Sequence, residues 1–413
     1  MRLLPISLAL AAFSLVSQAN AAPTPPNLSS TQFQQCLDGL KNSSNFKNIS
    51  SATFEQYRPT QPDPSVIVAL NYQPEFQKPV WDYLSGLVDE ERVADGIAAK
   101  NQHQTTLTRI EQRYGVKAED VLGVWGVESN FGKQLGKKDL IQSLATLSCF
   151  DRRQSYFRTE YANALRILQN GDIRREDMTG SWAGAFGHTQ FMPSTYEELA
   201  VDFDGDGRRD LVSSTTDALA STANFLKKRG WQTGQPWGFE VKNPQAISLS
   251  GESRRNKKSL SYWMQNGLVR ADGSALIQGN LSSSSQAGLM APAGENGPLF
   301  LVFKNFDAIY SYNAAESYAL AIAHLSDRLQ GQGGFSTTWP TDDAGTSRSE
   351  RREIQQFLLN RGYDIGAVDG LIGDKTRQAI RQEQIRLGLS PTGRAGQQIL
   401  KAFRQENAKL MMR

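Results

Sequence analysis

Val121-Leu-Gly-Val-Trp-Gly-Val-Glu-Ser-Asn-Phe-Gly132 decides how the rest of this chain is read. At helical spacing Val121, Val124, Trp125 and Glu128 fall on one face. A carboxyl group there points at apolar neighbours instead of water. Desolvation disfavours its charged form and is expected to raise its pKa, as a general acid near neutral pH requires. Gly123, Gly126 and Gly132 are poor helix formers. Their presence suggests close approach of another backbone or a ligand. Taken alone, the stretch reads as readily as a rim glutamate that reaches solvent or pairs with a basic side chain, so other segments have to decide.

The next segment outward is Ser181-Trp-Ala-Gly-Ala-Phe-Gly-His-Thr-Gln-Phe-Met-Pro-Ser-Thr-Tyr196. Glycines at 180, 184 and 187 permit unusual backbone angles. Gln190 offers a donor and acceptors, while Trp182, Phe191 and Tyr196 offer flat apolar faces. Sugar rings present C–H faces and hydroxyl edges, so this mixture suits a saccharide groove. The plainer reading is a tight turn with its aromatics in the core.

Together the two segments resemble a known family. Glu-Ser-Asn-Phe-Gly at 128–132, followed by Gly-x-x-Gln at 187–190, is similar to the lytic transglycosylases of the membrane-bound lytic transglycosylase B type. The likeness continues through Leu144-Ala-Thr-Leu147, Arg152-Arg153, Tyr156-Phe157, Asp202-Phe-Asp-Gly-Asp-Gly207, Asn305-Phe306 and Tyr312-Asn313. It spans most of residues 32–330 in the right order. Phe186 and His188 vary the Gly-x-x-Gln loop. The resemblance implies a lysozyme-like fold, α+β but mainly α, and an enzyme that cleaves the MurNAc–GlcNAc β-1,4 bond of peptidoglycan without adding water. One glutamic acid, at position 128, would protonate the leaving oxygen. It would then take the proton of the sugar's C6 hydroxyl, closing a 1,6-anhydro ring. Such a reaction needs no catalytic cofactor. The alternatives are a hydrolytic muramidase, with a second carboxylate such as Glu160, Glu197 or Glu198, and a non-catalytic wall-binding protein.

By residue-wise carry-over, Ser181, Gln190, Phe191, Tyr312 and Asn313 would line the groove, with Arg152 and Arg153 near substrate carboxylates. Competing readings stand beside these. Asn313 with Glu316 makes a capping box for a following helix, Tyr312 could be core, and the arginines could be surface charges. Three histidines without paired spacing speak against a catalytic transition metal.

Asp202-x-Asp204-x-Asp206-Gly207-Arg208-x-Asp210 matches the first, third, fifth, sixth, seventh and ninth positions of an EF-hand loop. Ser213 stands where the bidentate glutamate belongs. Asp217, as the family's variant loop suggests, would supply the missing oxygen. A structural Ca²⁺ is expected; the bland reading is a solvated Asp/Gly turn.

At the N-terminus Arg2, the apolar run Leu3–Val16 and Ala19-Asn20-Ala21 form a signal-peptide pattern, with residues 1–21 removed. Export to the periplasm of a Gram-negative bacterium follows as an expectation. No cysteine stands at the cleavage point to carry a lipid anchor. In that compartment Cys36 and Cys149 would form a disulfide or remain two buried thiols.

Strand-like runs between Trp231 and Phe306 suggest a small β-containing insertion. Gly331 to Ser349, rich in Gly, Ser, Thr, Asp and Pro, reads as a linker. The last segment, 350–405, contains Ile354-Gln-Gln-Phe-Leu-Leu, Gly362-Tyr-Asp-x-Gly and Val368-Asp-Gly-x-x-Gly373. It resembles the type 1 peptidoglycan-binding domain, a three-helix bundle, although Glu383 occupies a position commonly aromatic. From Arg348 onward 13 Lys+Arg face 7 Asp+Glu, whereas the rest of the chain is mildly acidic. The basic end suits an anionic polymer. Peptidoglycan strands are the expected partner, with other cell-wall enzymes as further partners. Export and the acidic body oppose nucleic acid.

Overall fold

The computed structural model describes residues 26–69 and 78–412. The expected signal peptide, 1–21, lies outside the described residues. No described helix is long and apolar enough to cross a membrane.

The helix Ala118–Ser129 runs through the middle of the large core. The expectation of a single apolar face is too narrow. Val121, Leu122 and Val124 are all 0% exposed and Trp125 is 3% exposed. A helix apolar all round belongs inside a protein, and this one is surrounded by the helices Glu90–Gln102, Gln104–Tyr114, Thr215–Lys228 and Glu316–Leu329. Its glycines explain how closely the last of these approaches. A Cβ on Gly123 would lie 2.8 Å from the Ile322 carbonyl oxygen, and one on Gly126 would lie 2.7 Å from both Leu325 and the Phe131 ring. Alanine at 123 would press on the backbone of the facing helix, and at 126 it would displace the Leu325 and Phe131 side chains, an overpacking that typically costs about 1–3 kcal/mol.

A second helix pair, Leu140–Phe150 and Gln154–Asn170, packs together within the same large core. The N-terminal helix Ser30–Lys41 is joined to it by a disulfide between Cys36 and Cys149, whose Cα atoms are 5.9 Å apart. Lys138–Asp139 pairs with Thr179–Gly180 in a two-stranded ribbon, which delivers the chain into the segment starting at Ser181.

Residues 238–302 build a five-stranded antiparallel sheet. Its order is Lys257–Ser259, Gln286–Met290, Leu299–Val302, Gly238–Lys242 and Val269–Arg270. One face holds a core of its own, with Trp263, Leu260, Leu289, Leu301 and Phe303 buried. The sheet also contributes Phe300 and Val302 to the large core, as alternation along a strand requires.

The 331–349 stretch is a packed strap, not a free tether. Phe335 stacks on His324 with ring centres 4.1 Å apart, Trp339 lies against Trp81, and the Ser336 and Thr337 N–H groups donate to Glu240 at 2.6 and 2.7 Å. Its composition suggested flexibility because the anchoring aromatics are few and their partners distant in sequence. The final helix bundle begins before 350. Ser347 and Glu350 form a capping box for Arg348–Asn360. That helix packs with Asp374–Arg386 and Gln397–Met411 around Ile354, Leu358, Ile380 and Phe403. Glu383 is buried here, held by Arg386 at 2.7 Å, Arg361 at 3.2 Å and the Tyr363 hydroxyl at 2.9 Å. A polar network thus fills the place of the aromatic.

Candidate active site

Glu128 occupies the last turn of the buried helix and is half-buried. The helix stops because Asn130 adopts the left-handed conformation (φ 52°) and returns its N–H to the Gly126 and Trp125 carbonyls. Phe131 continues at φ 56°. Two successive non-glycine residues in this region are strained, and the turn is held from outside. The Ser129 hydroxyl donates to the His188 carbonyl at 2.5 Å and accepts the Gly132 N–H at 3.0 Å. Trp125 Nε1 donates to His188 Nδ1 at 3.1 Å. Burial pushes the His188 pKa down, which keeps the ring a neutral acceptor. The 187–190 loop is thereby stitched to the Glu128 turn. Gly187 (φ 75°) permits it, since a Cβ there would lie 2.6 Å from the Leu211 carbonyl oxygen.

Two tyrosines approach from the other side. The helices Lys304–Asn313 and Glu316–Leu329 meet at Ala314-Ala315. The Tyr318 hydroxyl hydrogen-bonds the Glu128 carboxylate. The Tyr312 hydroxyl donates to the Thr189 carbonyl at 2.9 Å. Burial first, and the Glu128 charge second, raise both phenol pKa values well above the ordinary range, so both remain protonated donors. Tyr318 was missed as a site residue. Its spacing with Ile322, Leu325 and Leu329 reads as helix core, and nothing local to it signals a carboxylate 190 positions away.

The remaining candidates divide. Gln190, at φ 50°, sits in the stitched loop, its amide donating to the Gly187 carbonyl at 2.9 Å and the Leu135 carbonyl at 3.2 Å. Ser181 closes its own turn by accepting the Ala185 N–H at 3.0 Å. Phe191 corrects the expectation of a groove-lining ring. It is 1% exposed and packs on Phe225 and Tyr312, because its bridge to Phe186 turns the side chain inward. It supports Tyr312 from behind. Asn313 ends one helix and does not cap the next, whose cap is Ala315; the capping-box reading fails because two residues separate the helices. Arg152 and Arg153 are exposed. Arg153 leans on Phe157 and lies 3.7 Å from Asp151.

The possible second carboxylates are engaged elsewhere. Glu160 is buried and accepts from the Ser194 N–H and hydroxyl at 2.9 and 2.7 Å. Glu197 pairs with Arg209 at 3.3 Å and Glu198 with Arg229 at 3.2 Å.

The acidic loop brings together only part of its expected set. Oxygens of Asp202, Asp204 and Asp217 lie within 4.8 Å of one another. Asp217 is fully buried and accepts the N–H groups of Phe203, Asp204 and Asp210, which hold it in place. Burial, opposed by those bonds, moves its pKa to about 6, with the Asp204 charge adding to the rise. Asp206 instead turns to Arg208, at 3.1 Å, and Asp210 caps the Val212 and Ser213 N–H groups. Three converging hard oxygens fit a calcium ion, with Asp206 and Asp210 outside the cluster.

A half-buried acid at the end of a core helix, bonded by one phenol and stitched to a Gly-rich loop, is the arrangement of a lysozyme-like protein. The comparisons say which kind. The transglycosylase SLT domain model matches residues 32–327 and the peptidoglycan binding domain model matches residues 347–403. The chain belongs to the SLT-domain transglycosylases, a family of enzymes acting on peptidoglycan. Membrane-bound lytic murein transglycosylase B of Escherichia coli (strain K12) is 34% identical over 249 residues, 60% of this chain and 66% of that one, so the match spans just under two thirds of the relative. SltB3 of Pseudomonas aeruginosa, solved in complex with NAG-anhNAM-pentapeptide, is 45% identical over 90% of this chain and 99% of its own, with a TM-score of 0.72. The Escherichia coli lytic transglycosylase Slt35, solved in complex with calcium, is 30% identical over 72% of this chain and 92% of its own, with a TM-score of 0.60.

Proposed function

We propose that this chain is a lytic transglycosylase that cleaves the MurNAc–GlcNAc β-1,4 bond of peptidoglycan with Glu128 as acid and then base. The observation that carries this reading is how the candidate carboxylates are engaged. Glu128 faces the site with Tyr318 on its oxygen, while Glu160, Glu197 and Glu198 are tied to other partners. A hydrolase of the two-carboxylate kind needs a second carboxylate about 5–9.5 Å from the first to hold a nucleophile or a water. With those three carboxylates held by other partners, the sugar's own C6 hydroxyl would be the nucleophile, and the carboxylate that gave up its proton would serve as its base. Gln190 and Asn313 would hold the sugar hydroxyls, and Tyr318 would orient the acid. Ser181 and Arg152 and Arg153 belong to the wider groove.

Asp202, Asp204 and Asp217 would hold a structural Ca²⁺ that braces the loop beyond Gln190. Residues 1–21 would direct export to the periplasm and then be removed, leaving the enzyme where other cell-wall enzymes work on the same polymer. Residues 32–330 form the catalytic unit, 331–349 the strap and 350–405 the wall-binding unit.

The test is a digest of purified sacculi with wild type and Glu128→Gln, products identified by mass. Wild type is expected to release fragments with anhydro ends, one water lighter than ordinary muropeptides, and the variant none. Reducing ends would make the enzyme a muramidase, and binding without release would make it a scaffold.

A further inference from the structure

We propose that the C-terminal helix bundle sets the position of the Glu128 turn, through Arg348, Asp89 and Arg92, in addition to holding the wall. This rests on the assignment of Glu128 as the acid. The N-terminal end of the helix Glu90–Gln102 bonds to both units. Its N-cap, Asp89, is 6% exposed and uses one carboxylate oxygen to accept the Arg92 N–H at 2.8 Å. The other oxygen accepts the Arg348 N–H and Nε, both at 3.1 Å, at the start of the C-terminal bundle. Arg352 reaches Glu91 at 2.8 Å, and Arg394 pairs with Asp82 on the neighbouring helix Val80–Leu87. The basic module is thus docked on acidic helix ends, consistent with the favourable effect of carboxylates there.

The far side of the same helix touches the catalytic turn. Arg92 is 5% exposed, and its guanidinium donates to the Gly126 carbonyl at 2.6 Å, two residues before Glu128. That carbonyl also takes the Asn130 N–H that ends the helix. One turn further along, a Cβ on Gly96 would lie 2.8 Å from the Phe131 ring. Arg92 Nε has no hydrogen-bond partner among the described residues, so the bond to the Gly126 carbonyl is the hydrogen bond that ties the guanidinium to the turn. A buried guanidinium anchored at one end to a catalytic turn moves with the helix that carries it. Docking by Arg348 therefore bears on where the Glu128 carboxylate sits. Arg92 is a positioning residue, and the bundle contributes to turnover as well as to binding.

The experiment measures kcat and KM on a short soluble peptidoglycan fragment, together with binding to sacculi, for the full chain. Arg348→Gln is expected to lower kcat about tenfold, a usual size for coupling between sites, with KM and sacculus binding close to wild type. Asp89→Asn keeps an N-cap oxygen but loses the charge pair, and is expected to show the same fall. The double variant should be no worse than either single one, and Arg348→Lys should recover most of the loss. A wild-type kcat in folded Arg348→Gln, or a loss confined to KM or sacculus binding, overturns the proposal. If Arg348→Gln does not fold, Asp89→Asn decides by the same criteria. Glu128→Gln run in parallel tests the acid separately: activity there would remove the acid assignment, whatever Arg348 does.

Discussion

The Tyr318 phenol bonds directly to the Glu128 carboxylate, joining the first turn of one core helix to the last turn of another. The pair ties the carboxylate to a neighbouring element and so helps to set its rotamer. The contact gives this half-buried carboxylate a hydrogen-bond donor from the facing helix.

Tyr318→Phe keeps the ring and its packing and removes only the donor. A hydrogen bond to a charged group contributes about 1.5–3 kcal/mol, equivalent to roughly ten- to a hundredfold in rate if expressed in the transition state. The expected result is a fall in kcat of that size for anhydro-muropeptide release, with the melting temperature little changed. Wild-type turnover would show that Glu128 is oriented by other contacts.

Calcium should stabilise the chain. Asp202, Asp204 and Asp217 repel one another when ionised, and a bound divalent cation removes that cost. At a hundred times its dissociation constant a ligand adds about 2.7 kcal/mol. Scanning calorimetry in Ca²⁺ and in chelator is expected to show the higher melting temperature with the ion, and Asp204→Asn should shrink the difference. Identical transitions would return the loop to a solvated turn.

The Cys36–Cys149 bond closes a loop across 113 positions. A constraint of that length removes enough unfolded-state entropy to stabilise by about 4–5 kcal/mol. Cys36→Ser is therefore expected to lower the denaturation midpoint strongly, and reductant should do the same to wild type but not to the variant.

Stability should also depend on pH through a pair remote from Glu128. Asp120 and Asp327 line a cavity of about 560 Å³ behind the catalytic helix, with Ser326 donating to Asp120 and Trp237 to Asp327. Burial raises them to about 6 and about 7 respectively, and the charge of Asp120 contributes to the rise at Asp327. Folded carboxyls with raised pKa hold protons that the unfolded chain has already released. Their contribution is full below about pH 4 and is lost as the pH rises to about 7. Asp327→Asn should flatten that part of the profile measured by denaturant unfolding. A profile unchanged by the substitution would show that the charge is compensated in another way.

How far the site could be read depended on the range of each signal. Glu128, Gly123 and Gly126 were legible because burial and close approach leave marks within one helix. Tyr318 was not, since its partner lies on another element and its own spacing looks like core. The Phe191 ring and the capping alternative for Asn313 were misread for a related reason: an inward ring and the exact start of the next helix depend on neighbours that composition does not describe. Arg348 looked like one more positive charge until it met Asp89.

What the sequence alone determined is the kind of chemistry and the order of the parts. A glutamate in an apolar helix, a Gly-rich loop, a repeated Asp turn and a basic C-terminal bundle are all written in residue type and short spacing. The tertiary structure decided which of these meet. It chose Asp202, Asp204 and Asp217 from a longer acidic run, placed a phenol on the acid and packed the strap against the body. The reason is that helical and turn periodicity act over a few residues, whereas hydrogen bonds between distant elements depend on how whole helices pack.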